Sequence, residues 1–71
     1  MRDVKINKQP VELYKVLKFE GLAGSGAEAK TAVAEGMVQV NGQVETQKRK
    51  KIVDGDVIEF ASEKLRIVFQ A

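Results

Sequence analysis

Seventy-one residues with 44% apolar content and a net charge of +2 allow one small globular core, and the apolar residues are too scattered for a membrane span. The chain has no cysteine and no histidine, so disulfides, thiolate metal sites and the commonest general base and zinc ligand are excluded together. Six basic residues balance six acidic ones up to Gln47; from Lys48 onward six face four, and Lys48-Arg49-Lys50-Lys51 are consecutive.

The start, Met1-Arg2-Asp3-Val4-Lys5, lacks the apolar segment of a signal peptide, and the expected location is the cytoplasm. Residues 1–9 alternate around Val4 and Ile6 and read as a short strand or an arm. Pro10 stands where a helix can begin, since its missing N–H is not needed there. From Val11 to about Glu20 the spacing is helical, with Leu13, Val16 and Leu17 on one face and Lys15 and Lys18 on the other. Gly21 is placed to end that helix as a left-handed cap.

Ala23-Gly24-Ser25-Gly26 reads as a turn. Ser25 with Glu28 three residues later makes the capping-box pattern, which predicts a second helix from Gly26 or Ala27 to Glu35. Ala29, Ala32 and Val33 form its inner face, and Gly36 closes it. Met37 to Val40 is the next strand, Asn41-Gly42 a hairpin turn needing positive φ at both positions, and Gln43-Val44-Glu45 the return. Gly55-Asp56 turns into Val57 to Phe60, which pairs with Leu65 to Phe69 across residues 61–64. The expected fold is α+β, with two helices packed on a small, mostly antiparallel sheet.

No arrangement of residues supports catalysis. Gly21 to Gly26 followed by Lys30-Thr31 departs from a phosphate loop, which needs its lysine directly after the last glycine. Asp54 and Asp56 suit turn chemistry, Ser25 has no histidine to activate it, and two carboxylates do not complete a calcium or magnesium site. Neither cofactor nor small-molecule substrate is expected. The helix that opens at Ser25 offers N-terminal amides suited to one phosphate. Phe19, Phe60 and Phe69 read as packing residues. Tyr14 either stacks on a base at the edge of the helix or, the commoner case for a tyrosine at helical spacing, joins the core. Without an exposed aromatic platform, single-strand binding by serial stacking is disfavoured. The basic run is the strongest functional feature: four adjacent cations repel one another, add little to folding, and suit a polyanion whose bound counterions they displace. If Lys15, Lys18 and Lys30 share a face with it, the patch is continuous.

Several segments together carry a resemblance. They are Leu13-(x)3-Leu17-(x)3-Gly21-Leu22-Ala23, Ser25, Ala29-Lys30, Glu35-Gly36-Met37-Val38-Gln39-Val40-Asn41-Gly42 and Gly55-Asp56-Val57-Ile58. The chain resembles the RNA-binding domain of ribosomal small-subunit protein four, also called the alpha-L motif. The likeness runs from about Val11 to Phe60, within a single domain of residues 1–71. With Glu45 to Lys50 included, it looks most like small stand-alone bacterial proteins of the YbcJ type. The resemblance implies binding of structured RNA, ribosomal or transfer RNA, and an association with ribosomes. It implicates Ser25, Lys30 and Thr31 near the second helix, Asn41 and Gly42 at the hairpin, and Lys48, Arg49, Lys50 and Lys51 beyond it. Val11-Glu12 and Gly26 stand where family members often carry arginine, which shifts the expected contacts onto Lys15, Lys18, Lys30 and the basic loop. Two alternatives share these features. One is a module docking on acidic proteins; the other is a ubiquitin-like sulfur carrier, disfavoured by the ending Phe69-Gln70-Ala71 in place of two glycines.

Overall fold

Leu65 and Ile67 alternate with Arg66 along the longest strand, so one face of it packs on the core and the other faces water. The computed structural model, which describes all 71 residues, places this strand, β7 (Glu63–Phe69), between β1 (Arg2–Ile6) and β6 (Val57–Phe60). Beyond β6 lie β3 (Val38–Val40) and β4 (Gln43–Val44), so the five-stranded order is β1-β7-β6-β3-β4. All neighbours are antiparallel except β1 and β7, which run parallel with Val4 opposite Ile67, so the two ends of the chain lie side by side. The N-terminal segment is therefore a strand of the sheet and no free arm.

Helices α1 (Leu13–Phe19) and α2 (Gly26–Ala34) bury the expected faces. Leu13, Val16 and Leu17 of α1 and Ala29, Ala32 and Val33 of α2 join Val4, Val38, Val40, Ile52, Ile58, Leu65 and Ile67 in one apolar core. The alanines let α2 approach α1 closely: a Cβ built on Gly26 would lie 3.9 Å from both Tyr14 Cε2 and Lys18 Cδ. Gly21 ends α1 at φ 75°, where a side chain would meet the following carbonyl, and the Leu22 amide donates back to the Leu17 carbonyl at 3.0 Å. At the start of α2 the Ser25 Oγ accepts from the Glu28 amide at 3.1 Å. The Glu28 carboxylate reaches one residue further back than a capping box requires, accepting from the Gly24 amide at 2.9 Å.

Four expectations are corrected. The first helix starts at Leu13, because Val11 and Glu12 form β2 (Val11–Glu12), paired antiparallel with β5 (Lys51–Ile52); the Gln9–Pro10 peptide is cis. The fully buried Ile52 opposite Val11 gives that pairing an apolar anchor. Met37 stands before β3 and is exposed, and Glu45 lies beyond β4. The β6–β7 hairpin is tighter than a four-residue connection: Glu63 pairs with Phe60 and Lys64 with Glu59, leaving only Ala61 and Ser62 in the turn, at φ 51° and 70°. Finally, Phe19 is 72% exposed at the end of α1, while Phe60 packs against the core. No helix is long and apolar enough to cross a membrane.

Candidate nucleic-acid interface

An α-helix begins with amides that have no partner within the helix. At the start of α1 the N-cap residue is Glu12, and its side chain makes no capping hydrogen bond. The basic loop supplies the missing acceptors from its backbone. The Lys50 carbonyl accepts from the Leu13 amide at 2.9 Å, and the Lys48 carbonyl from the Tyr14 amide at 3.0 Å. With their carbonyls turned into the helix end, the loop residues hold exposed side chains at its edge. The Gln47 amide donates to the Glu45 carboxylate at 3.0 Å, and the Lys50 amide to the Gln47 carbonyl at the same distance. The loop is therefore tied at both ends, and β5 continues it into the core at Ile52.

Tyr14 is the point where three elements meet. Its half-buried ring packs against the core from α1. Lys30 of α2 holds its Nζ 4.7 Å from the ring centroid, and the Arg49 guanidinium of the basic loop lies 5.6 Å away. Both cations gain from the negative face of the ring, about 0.5–1 kcal/mol at such exposed positions. The same ring thereby fixes two charges that are nineteen positions apart in the chain.

Glu12 adds Lys15 to this group and holds Arg49 a second time. Its Oε1 lies 3.1 Å from Lys15 Nζ, and its Oε2 accepts from Arg49 Nη1 at 3.2 Å. The hydrogen bond from Lys15 lowers the Glu12 carboxyl pKa most; desolvation opposes it, and the hydrogen bond from Arg49 and the charges of both cations add to the lowering. Lys18, with its Cδ against the start of α2, has no carboxylate partner; neither do Lys30, Lys48, Lys50 and Lys51. Lys15, Lys30 and Arg49 are thus linked through Tyr14 and Glu12, and Lys18 adjoins them. A face with this surplus of cations can neutralise closely spaced phosphates without rearranging its backbone.

The remaining expected positions behave differently. Ser25 uses its hydroxyl to cap α2, and the Gly24 and Glu28 amides beside it are already bonded. Thr31 borders a shallow depression with Glu28, Glu35 and Met37, whose charged groups are acidic. Asn41 and Gly42 form the hairpin turn at φ 53° and 82°, and the Asn41 side chain is taken up by Asp56 and Val57. The structure therefore joins Lys15, Lys30 and Arg49, sets Lys18 beside them and carries Lys48, Lys50 and Lys51 on the same segment as Arg49, and it leaves Ser25, Thr31, Asn41 and Gly42 outside that group. Glu12 and the bridging role of Tyr14 went unread in the sequence. The signal for Glu12 was its i,i+3 spacing to Lys15; nothing in one dimension puts Tyr14 beside Lys30 and Arg49.

A helix pair on a mostly antiparallel five-stranded sheet, with a cationic loop capping the first helix, defines a domain of the alpha-L class. The profile of the S4 domain matches residues 4–68, and the chain belongs to that family. Over 69 residues it is 49% identical to YbcJ of Escherichia coli (strain K12), covering 96% of this chain and 99% of that protein. The same figures hold for YbcJ of Shigella flexneri. The solution structure of Escherichia coli YbcJ, described as having an alpha-L motif involved in RNA binding, superposes with a TM-score of 0.73 and covers 96% of this chain and 87% of that one. The crystal structure of 30S ribosomal protein S4e from Thermoplasma acidophilum has a TM-score of 0.72 at 29% identity, covering 90% of this chain and 34% of its own.

Proposed function

We propose that this protein binds structured RNA, ribosomal or transfer RNA, as a stand-alone, non-catalytic domain in a bacterial cytoplasm. The observation that carries the reading is the convergence of Lys30 and Arg49 on Tyr14, with Lys15 and Arg49 sharing Glu12. Cations from three elements held at one place suit a phosphate backbone of fixed shape. The family, and the description of YbcJ as carrying a motif involved in RNA binding, support the partner class; the likeness to S4e favours association with the ribosome.

In this reading Lys15, Lys18, Lys30, Lys48, Arg49, Lys50 and Lys51 contact phosphates. Ser25, Asn41 and Gly42 act through the cap and the turn they build, and Thr31 lies at the margin. The test is titration of a structured RNA hairpin across a salt series, beside duplex DNA of equal length. We expect RNA preference and a log–log salt slope of roughly −3 to −6, for four to seven phosphates. Replacing Lys48, Arg49, Lys50 and Lys51 with alanine removes most of that affinity and leaves the fold intact, since the capping carbonyls belong to the backbone. Unchanged RNA affinity in that variant refutes the reading, and equal weak binding to both nucleic acids reduces it to a generic basic patch.

A further inference from the structure

Phe19 is an expensive surface residue. A phenylalanine 72% exposed on a chain this small leaves apolar area in water that any alternative polar side chain would spare. It forms one wall of an open groove of about 410 Å³, lined also by Lys5, Ile6, Asn7, Lys8, Val11 and Gln70. Lys18 Nζ stands 5.9 Å from the Phe19 ring centroid. The groove thus has an apolar floor, Lys5 and Lys8 in its lining and Lys18 at the Phe19 ring; a carboxylate, that of Glu20, stands at the smaller pocket sharing Lys5, Ile6, Val11 and Phe19. The amides of Asn7 and Gln70 enter into none of the side-chain hydrogen bonds of the chain.

Lys18 links the groove to the cationic face. Lys15 precedes Phe19 by four residues, which puts the two on one side of α1 about one turn apart. Lys18 adjoins the start of α2 through its stem and Phe19 through its ammonium. A polyanion seated on Lys18 therefore lies next to the Phe19 ring.

We propose that the groove at Phe19 receives one unpaired base of the bound RNA, so that the protein recognises a helix flanked by a single-stranded nucleotide. The base stacks on the Phe19 ring, Lys5, Lys8 and Lys18 neutralise the flanking phosphates, and the Asn7 and Gln70 amides face the base edge with both donors and acceptors. An acidic peptide satisfies the lysines equally well. It gives no use to a flat ring beside two free amides, or to the link through Lys18 to the cationic face. The proposal rests on RNA binding at the α1–α2 face and adds to it a single-nucleotide site.

The test compares a blunt RNA hairpin with the same hairpin carrying a short single-stranded extension, using wild type, Phe19→Ala, Phe19→Leu and Phe19→Trp. The expected result is tighter binding of the extended RNA by wild type. Phe19→Ala and Phe19→Leu should lose that preference, a fall of roughly 5- to 100-fold for the extended RNA alone. Phe19→Trp should keep it. Phe19 is exposed, so the variants fold, and circular dichroism checks this. Full preference in Phe19→Ala overturns the proposal and leaves RNA binding standing. Retention in Phe19→Leu with loss in Phe19→Ala also overturns stacking, and assigns the groove to an apolar contact. So does a monomer–dimer shift in Phe19→Ala, which assigns the groove to a second copy. No binding of either RNA by wild type means that the underlying RNA reading itself has failed.

Discussion

The side-chain amide of Asn41 donates to Asp56 Oδ1 across 3.0 Å, joining two turns fifteen residues apart. The same Asn41 exchanges a pair of bonds with Val57: its backbone amide donates to the Val57 carbonyl at 2.7 Å, and its Oδ1 accepts from the Val57 amide at 2.9 Å. Asp56 in turn accepts from the Val53 amide at 2.9 Å through its other oxygen. The Val-Asn-Gly and Gly-Asp-Val segments on which the sequence resemblance rests are therefore two halves of one lock at the end of β3 and the start of β6. Their pairing is explained by the sheet without any ligand.

This lock gives a direct prediction. Asn41→Gly keeps the positive φ and removes both side-chain bonds, so it should destabilise the fold by about 1–2 kcal/mol. Asp56→Ala should destabilise as well, and the double variant should cost less than the sum of the two. Urea unfolding measures all three, and strict additivity would show that the two residues are not coupled. RNA affinity under folding conditions should not change.

The β6–β7 turn carries avoidable strain. Ala61 and Ser62 both adopt positive φ, which asparagine and glycine tolerate far better. The double substitution Ala61→Asn with Ser62→Gly should stabilise the protein by about 1 kcal/mol, read as a higher midpoint in urea. A lower midpoint would mean that the hairpin depends on something other than its turn conformation.

Glu12 should respond to pH in one direction. Lys15 first, and Arg49 after it, lower its carboxyl pKa in the folded protein below the ordinary 4.5. Its contribution to stability is therefore complete above about pH 4.5 and is lost as the pH falls through the lower folded value. Glu12→Gln should lack that component of acid sensitivity, so thermal unfolding curves of the two proteins should converge in strong acid. At neutral pH the same variant frees Lys15 and Arg49, and should bind RNA more tightly with a salt slope steeper by about 1. Weaker binding would instead show that Glu12 is needed to hold Arg49 in place.

Position on the fold, and not charge alone, should decide which lysines matter. Lys64 pairs with Glu59 at 3.2 Å on the β6–β7 hairpin, whereas Lys30 lies over Tyr14 with no carboxylate partner. Lys30→Gln should weaken RNA binding and make the salt slope shallower by about 1, while Lys64→Gln should leave both unchanged. Equal losses would point to a long-range effect of net charge.

Local chemistry wrote much of this protein into its sequence. The cap at Ser25, the left-handed ends at Gly21 and Gly36, the Asn41-Gly42 turn and the alternation in β7 depend on residues within a few positions of one another. Their energetics are fixed by backbone sterics and side-chain period, and so they, the two helices and the basic run were legible directly. Tertiary structure alone decided the rest. Val11 and Glu12 carry a helical spacing, yet they became a strand because Ile52 and Lys51, forty residues on, offered a partner with a buried anchor. Phe19 looks like core until the sheet takes its apolar neighbours and leaves it in water. The meeting of Lys30, Arg49 and Tyr14 depends on two helices and a loop packing together. No local preference encodes that, because the interactions that hold it act through space between segments the chain must first fold to bring together.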